Sequence, residues 1–87
     1  MSNATLVTRI AEVITQFEAG EASFVHLQDV LENTAKAIES LPYAMAIELR
    51  SIESRLAIEQ IYEQEDYESK LQETLAQLRL WLAKVPK

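Results

Sequence analysis

Apolar residues recur at three- and four-residue steps along the first half of this chain. One set comprises Leu6, Val7, Ile10, Val13, Ile14 and Phe17, and the next comprises Phe24, Leu27, Val30, Leu31, Ala35 and Ile38. This spacing places side chains on one face of an α-helix. Ser2 or Asn3 can cap the first helix, Gly20 can end it in the left-handed conformation, and Ser23 can cap the second. The pattern predicts helices over about residues 4–18 and 24–40.

The second half continues the same pattern after a break at Ser40-Leu41-Pro42. A third stripe contains Met45, Leu49, Ile52 and Leu56, and its apolar surface is widened by Ile47, Ile58, Ile61 and Tyr62. The last stripe is a heptad seam formed by Leu71, Leu75, Leu78, Leu82 and Val85. Asp66 is a candidate N-cap for the last helix, but a continuous, kinked helix through residues 64–68 is an open alternative. We therefore predict an all-α fold, an antiparallel bundle of three to four helices.

Composition supports one small helical domain over residues 1–87. The 87 residues include a single glycine and two prolines. An all-β domain of this length would need turn residues every ~8–12 positions. The chain has no cysteine, which removes disulfides and thiolate metal sites and fits a reducing compartment.

The net charge and the hydropathy of the chain limit the classes of partner that it can bind. The net charge of −6 disfavours nucleic acid and anionic lipid. No apolar run approaches the ~20 residues of a membrane helix, and the first residues lack the pattern of a signal peptide. We therefore expect a cytoplasmic protein that binds neither nucleic acid nor membrane.

The strongest chemical signal is the acidic segment, residues 59–68. It has no Lys or Arg, whereas residues 69–87 carry four cations against one carboxylate. Two tyrosines within it can supply rigid contact area inside a charged rim, as in protein-binding hot spots. We predict that it binds a basic protein surface through Glu59, Tyr62, Glu63, Glu65, Asp66, Tyr67 and Glu68.

Catalytic and cofactor chemistry finds little support. His26 and Asp29 share a helical face, but no local motif marks a nucleophile beside them. The carboxylate-rich 63–68 stretch lacks the central glycine of a calcium loop. We therefore expect neither an enzyme nor a metal or other cofactor. Trp81 lies beside the leucine seam and is a second candidate contact residue if partly exposed; alternatively, it packs beneath the loop at 18–23.

The junction of the first two helices resembles a known motif. Phe17-Glu18-Ala19-Gly20-Glu21-Ala22-Ser23-Phe24 is similar to the Phe-x-x-Gly-Glu-x-Ser-Phe turn of small helical bacterial immunity proteins. Those proteins neutralise bacteriocins or the toxin domains of contact-dependent growth inhibition systems. The resemblance implies a protein that covers the basic substrate groove of a toxin domain, in particular a nuclease. The resemblance does not assign a binding role to any individual residue of this chain.

A second interpretation comes from a different class. The heptad seam at residues 71–85 could mediate self-association of a structural or adaptor bundle. Such seams are more often internal core, so we favour a monomer. The two interpretations differ in whether the seam is buried.

Overall fold

The computed structural model describes residues 2–86, and within that range the chain forms four helices and no strand. The helices are α1 (Asn3–Glu18), α2 (Phe24–Lys36), α3 (Tyr43–Gln64) and α4 (Leu71–Ala83). The prediction of an all-α bundle is confirmed, with α3 and α4 as separate helices. None of the helices in this part of the chain is both long and apolar enough to cross a bilayer.

The helices form two compact units, each built on a packed pair. One unit contains residues 2–41 and 85–86, and the other contains Pro42–Lys84. In the first unit α1 packs against α2, and in the second α3 packs against α4. The short loops within each pair make its two helices antiparallel neighbours.

The α1–α2 turn follows the caps expected from the sequence. The Ser2 hydroxyl accepts the Thr5 N–H at 3.2 Å, and the Ser23 hydroxyl accepts the His26 N–H at 3.1 Å. Gly20 has φ +77°, and the Gly20 and Glu21 N–H groups bond the Phe17 and Gln16 carbonyls at 3.1 and 2.8 Å. This is the hydrogen-bond pattern of a Schellman motif. The rings of Phe17 and Phe24 meet across the turn with centroids 5.8 Å apart.

The second helix ends earlier than expected, at Lys36 rather than near Ser40. Asn3 explains the difference, because its side-chain oxygen accepts the Glu39 N–H at 3.0 Å and so takes that donor out of the helix. The Asn3 amide donates to the carbonyls of Glu39 and Pro86 at 2.9 and 2.8 Å. Asn3 therefore connects α1 to the segments around Glu39 and Pro86, and Ser2 is the residue that caps α1. Ser40 then takes the left-handed φ of 58° at the break before Pro42.

The leucine seam is core. Leu71, Leu75, Leu78, Leu82 and Val85 are all buried. Trp81 is also fully buried, and its indole N–H donates to the Met45 carbonyl at 2.9 Å. The sequence left open whether Trp81 is partly exposed or packed, and its burial excludes the partly exposed alternative. The adjacent Leu80 is the exposed one, at 66%.

The third helix buries only part of its apolar surface. Leu49, Ile52 and Leu56 are buried, whereas Ile47, Ile58, Ile61 and Tyr62 are 42–56% exposed. At its start, Glu48 forms an ion pair of 3.0 Å with Lys84 at the end of α4. That contact joins the two ends expected to meet in an antiparallel pair.

Candidate functional site

The acidic segment forms the end of α3 and most of the loop that leads to α4. Glu65 closes α3, and Asp66 follows with φ 61°. The Tyr67 N–H bonds the Tyr62 carbonyl at 2.9 Å, and the Asp66 N–H bonds the Glu63 carbonyl at 3.4 Å. These two bonds form a second Schellman motif, with Asp66 in the position that Gly20 occupies after α1.

Asp66 therefore ends α3 and is not the N-cap of α4. The predicted cap was wrong because α4 begins later, at Leu71. Aspartate can take the left-handed conformation because its short polar side chain lessens the steric cost that other L-residues meet there. The absence of glycine between residues 64 and 68 therefore does not prevent a loop.

The two tyrosines meet because of this turn. Their ring centroids lie 6.2 Å apart at an interplanar angle of 88°, an edge-to-face contact. Tyr62 and Tyr67 occupy the two positions of a Schellman motif whose side chains commonly touch. Tyr62 is 42% exposed and Tyr67 is 66% exposed, so the pair offers aromatic surface to solvent. The structure thus brings together both predicted anchors.

Four carboxylates lie close to these tyrosines in the sequence. All four are exposed, and among residues 2–86 none of them forms an ion pair: Glu63, Glu65, Asp66 and Glu68. Glu63, Glu65 and Asp66 lie at the carboxyl end of α3, where the helix dipole already presents partial negative charge. The last turn of α3 contains no basic residue to offset them.

Glu59 differs from the other predicted contact residues because it is half-buried and holds the loop. Its carboxylate accepts the backbone N–H of Lys70. Its carbonyl accepts the Ser69 hydroxyl at 2.9 Å, and the Ser69 oxygen in turn accepts the Leu71 N–H at 3.1 Å. These bonds satisfy donors at the start of α4, which has no side-chain cap from its own N-cap residue. Glu59 therefore positions the surface.

A groove of about 520 Å³ lies on the α3–α4 pair, and Tyr62 is part of its lining. Two cations, Arg55 and Lys70, line it together with acidic side chains. The sequence analysis missed Arg55, although it stands one helical turn before Glu59 and so shares its face. The full lining is Arg55, Glu59, Tyr62, Glu68, Lys70, Glu73, Thr74 and Gln77.

The other candidate residues, His26 and Asp29, belong to the first compact unit. Both are exposed on α2. Within the described residues, no group of three or more His, Cys, Asp or Glu side chains is placed to hold a metal ion. The arrangement at the α3–α4 turn offers charge and aromatic contact area, the chemistry of recognition.

Comparisons with models of known protein families, with curated proteins and with solved structures found no match.

Proposed function

We propose that this chain is a bacterial immunity protein that neutralises a toxin domain by covering the toxin's basic substrate groove with the acidic segment. A nuclease must present positive charge to bind its nucleic-acid substrate. An acidic surface that occupies the same groove excludes that substrate. Opposite charge also steers the two proteins together, which speeds capture. The role is binding, without catalysis or cofactor.

The observation that carries the proposal is that this segment opposes the stability of its own helix end. Three carboxylates stand against the dipole of α3, and an aspartate occupies a left-handed position where glycine costs least. A sequence that breaks two local rules at one exposed place is more often serving binding there than folding. The tyrosine pair beside these carboxylates supplies the contact area that such binding needs.

The groove gives the proposal a source of specificity. Arg55 and Lys70 lie among its carboxylates. A uniformly basic partner would place like charges opposite these two cations, at a cost in affinity. The partner that fits best has a basic patch with a carboxylate beside it, which fixes one orientation of the complex.

Burial of the leucine seam weakens the alternative interpretation, a structural or adaptor bundle that self-associates through that seam. It requires the leucine seam to face a second molecule, but Leu71, Leu75 and Leu78 are buried within the folded chain. Self-association through that seam would require the core to open.

Binding kinetics test the proposal. If the proposal is right, a gene next to that of this chain encodes the toxin domain. That domain, made as an inactive variant, is the ligand, and association and dissociation are measured over a range of salt concentrations. We expect a one-to-one complex whose association slows as salt rises. Tyr67→Ala should raise the dissociation constant about 30-fold, the effect of losing ~2 kcal/mol at a hot spot, mainly through faster dissociation.

Tyr43→Ala is the matched control, since Tyr43 is 79% exposed at the far end of α3. It should bind like the wild type. Equal losses in the two tyrosine variants would move the contact away from the acidic segment. Failure of the wild type to bind the encoded toxin domain would contradict the proposal itself.

A further inference from the structure

Helix α3 carries apolar side chains on two nearly opposite sides. The inner side is the buried row of Leu49, Ile52 and Leu56. An α-helix turns by about 100° per residue, and this rotation places seven other positions on the opposite side of α3. We call these seven positions the outer row. All seven are exposed: Tyr43, Ile47, Arg50, Ser54, Ile58, Ile61 and Glu65. Its apolar members are large, with Tyr43 exposed by 79%, Ile47 by 47%, Ile58 by 49% and Ile61 by 56%.

The outer row is arranged symmetrically about Ser54. Its members lie about four, seven and eleven residues away in each direction. An eleven-residue repeat has 3.67 residues per turn, so the row stays on one side of a nearly straight helix. That spacing would be symmetric in any straight helix, but the side chains that occupy it are also matched. Ile47 mirrors Ile61, and the central position is the small Ser54, which permits close approach of another helix.

We propose that the outer row is a homodimer interface in which α3 pairs antiparallel with α3 of a second copy about a two-fold axis at Ser54. Ile47 then faces Ile61 of the second copy, and Ile58 faces the aliphatic stem of Arg50. The Tyr43 hydroxyl faces the Glu65 carboxylate, to which it can donate a charge-assisted hydrogen bond. Each contact occurs twice, as the two-fold symmetry of a self-complementary surface requires.

Charge selects the antiparallel orientation over the parallel one. A parallel pair would set Arg50 against Arg50 and Glu65 against Glu65. In the antiparallel register the two Arg50 positions are eight residues apart along the axis, about 12 Å at 1.5 Å per residue. Each Glu65 meets a tyrosine hydroxyl instead of another carboxylate.

The same interface has a salt dependence that separates it from the proposed function. Each copy carries a net charge of −6, so two copies repel each other. Salt screens this repulsion, and the dimer therefore strengthens as salt rises. A complex with a basic partner weakens under the same change. Because Glu65 belongs to both surfaces, the dimer and the complex with the toxin domain compete for it, but the failure of one leaves the other possible.

Sedimentation equilibrium of the full chain tests the interface. We expect the average mass to rise above 9.9 kDa with concentration, and more so at high salt. Ile47→Ser and Ile61→Ser should each weaken dimerisation about tenfold or more, because each removes two buried apolar contacts. Leu80→Ser is the matched control, since Leu80 is 66% exposed on α4 and lies outside the row. A monomer at all concentrations, or equal dimerisation by all variants, would overturn the proposal.

Disulfide trapping tests the register, because the chain has no cysteine of its own. Under mild oxidation, Ser54→Cys should give a covalent dimer and Arg50→Cys should not, since thiols on α-carbons more than ~7 Å apart cannot bridge. Dimers from both variants would overturn the antiparallel register in favour of a parallel one. No dimer from either would overturn the interface. Helical circular dichroism of each variant confirms that the fold is kept.

Discussion

Gly20 and Asp66 occupy the same position in two Schellman motifs of one molecule. Gly20 has φ +77° and Asp66 has φ 61°. For most residues with a Cβ the left-handed conformation costs about 1–2 kcal/mol, and glycine avoids this cost. The chain therefore ends α1 with the residue that suits the turn and ends α3 with one that suits it less. Compared with a glycine at the same position, Asp66 adds a carboxylate to the exposed end of α3.

Asp66→Gly should stabilise the protein by about 0.5–1 kcal/mol. Relief of the left-handed backbone exceeds the ~0.4–1 kcal/mol that glycine's freedom adds to the unfolded state. Gly20→Ala is the reverse test and should destabilise by about 1 kcal/mol, since an added Cβ meets no atom within 4 Å and only the backbone cost remains. Urea unfolding of the two variants and the wild type measures both changes. A less stable Asp66→Gly would show that the aspartate contributes to the fold.

Residue-level expectations held where the side chain's role is local. Ser2 and Ser23 cap their helices because an oxygen one residue before a helix needs no distant partner. The long-range hydrogen bonds of Asn3 and Trp81 were not predicted, because their partners lie far along the chain, at Glu39 and Met45. Spacing within a helix carries no information about such contacts.

At the scale of the element, α3 and α4 meet at a loop where carboxylates stand near opposite ends of two dipoles. Glu63 lies in the last turn of α3, and Glu73 lies in the first turn of α4. A negative charge is unfavourable at a carboxyl end and favourable at an amino end. Glu63 therefore destabilises the end of α3, whereas Glu73 stabilises the start of α4.

The two positions should respond to neutralisation with opposite signs. Glu63→Gln should stabilise and Glu73→Gln should destabilise, each by about 0.3–1 kcal/mol at low ionic strength. The amide is isosteric with the carboxylate, so packing is held constant in both variants. Urea unfolding at low and high salt measures the effect, and both differences should shrink as salt screens them. Changes of the same sign would contradict the dipole argument.

Helix positions followed from apolar spacing, and the seam of α4 was buried as its heptads indicate. The two-sided nature of α3 was not evident, because spacing alone does not show which of two apolar sides a neighbour covers. The start of α4 was also missed. It is fixed by the Glu59 carboxylate and the Ser69 hydroxyl, whose joint action depends on a loop conformation that the sequence does not display.

At the scale of the whole molecule, the net charge of −6 is unevenly placed, and five of the carboxylates fall within ten residues. Their approximate location could be predicted from the sequence because residues close in a chain stay close in space. The adjacent cations Arg55 and Lys70 lie just outside that window. They join the surface only because α3 and α4 fold back on each other.

Protection of growing cells tests the central claim most directly. Cells express the active toxin domain that we expect a neighbouring gene to encode, together with the wild-type chain, Glu65→Lys/Glu68→Lys, or the control Glu12→Lys/Glu21→Lys. Both double variants change only exposed carboxylates and bring the net charge from −6 to about −2. We predict that the wild type and the control protect, while Glu65→Lys/Glu68→Lys fails to protect. Equal protection by all three proteins would contradict the account and leave the acidic segment as an ordinary solvated surface.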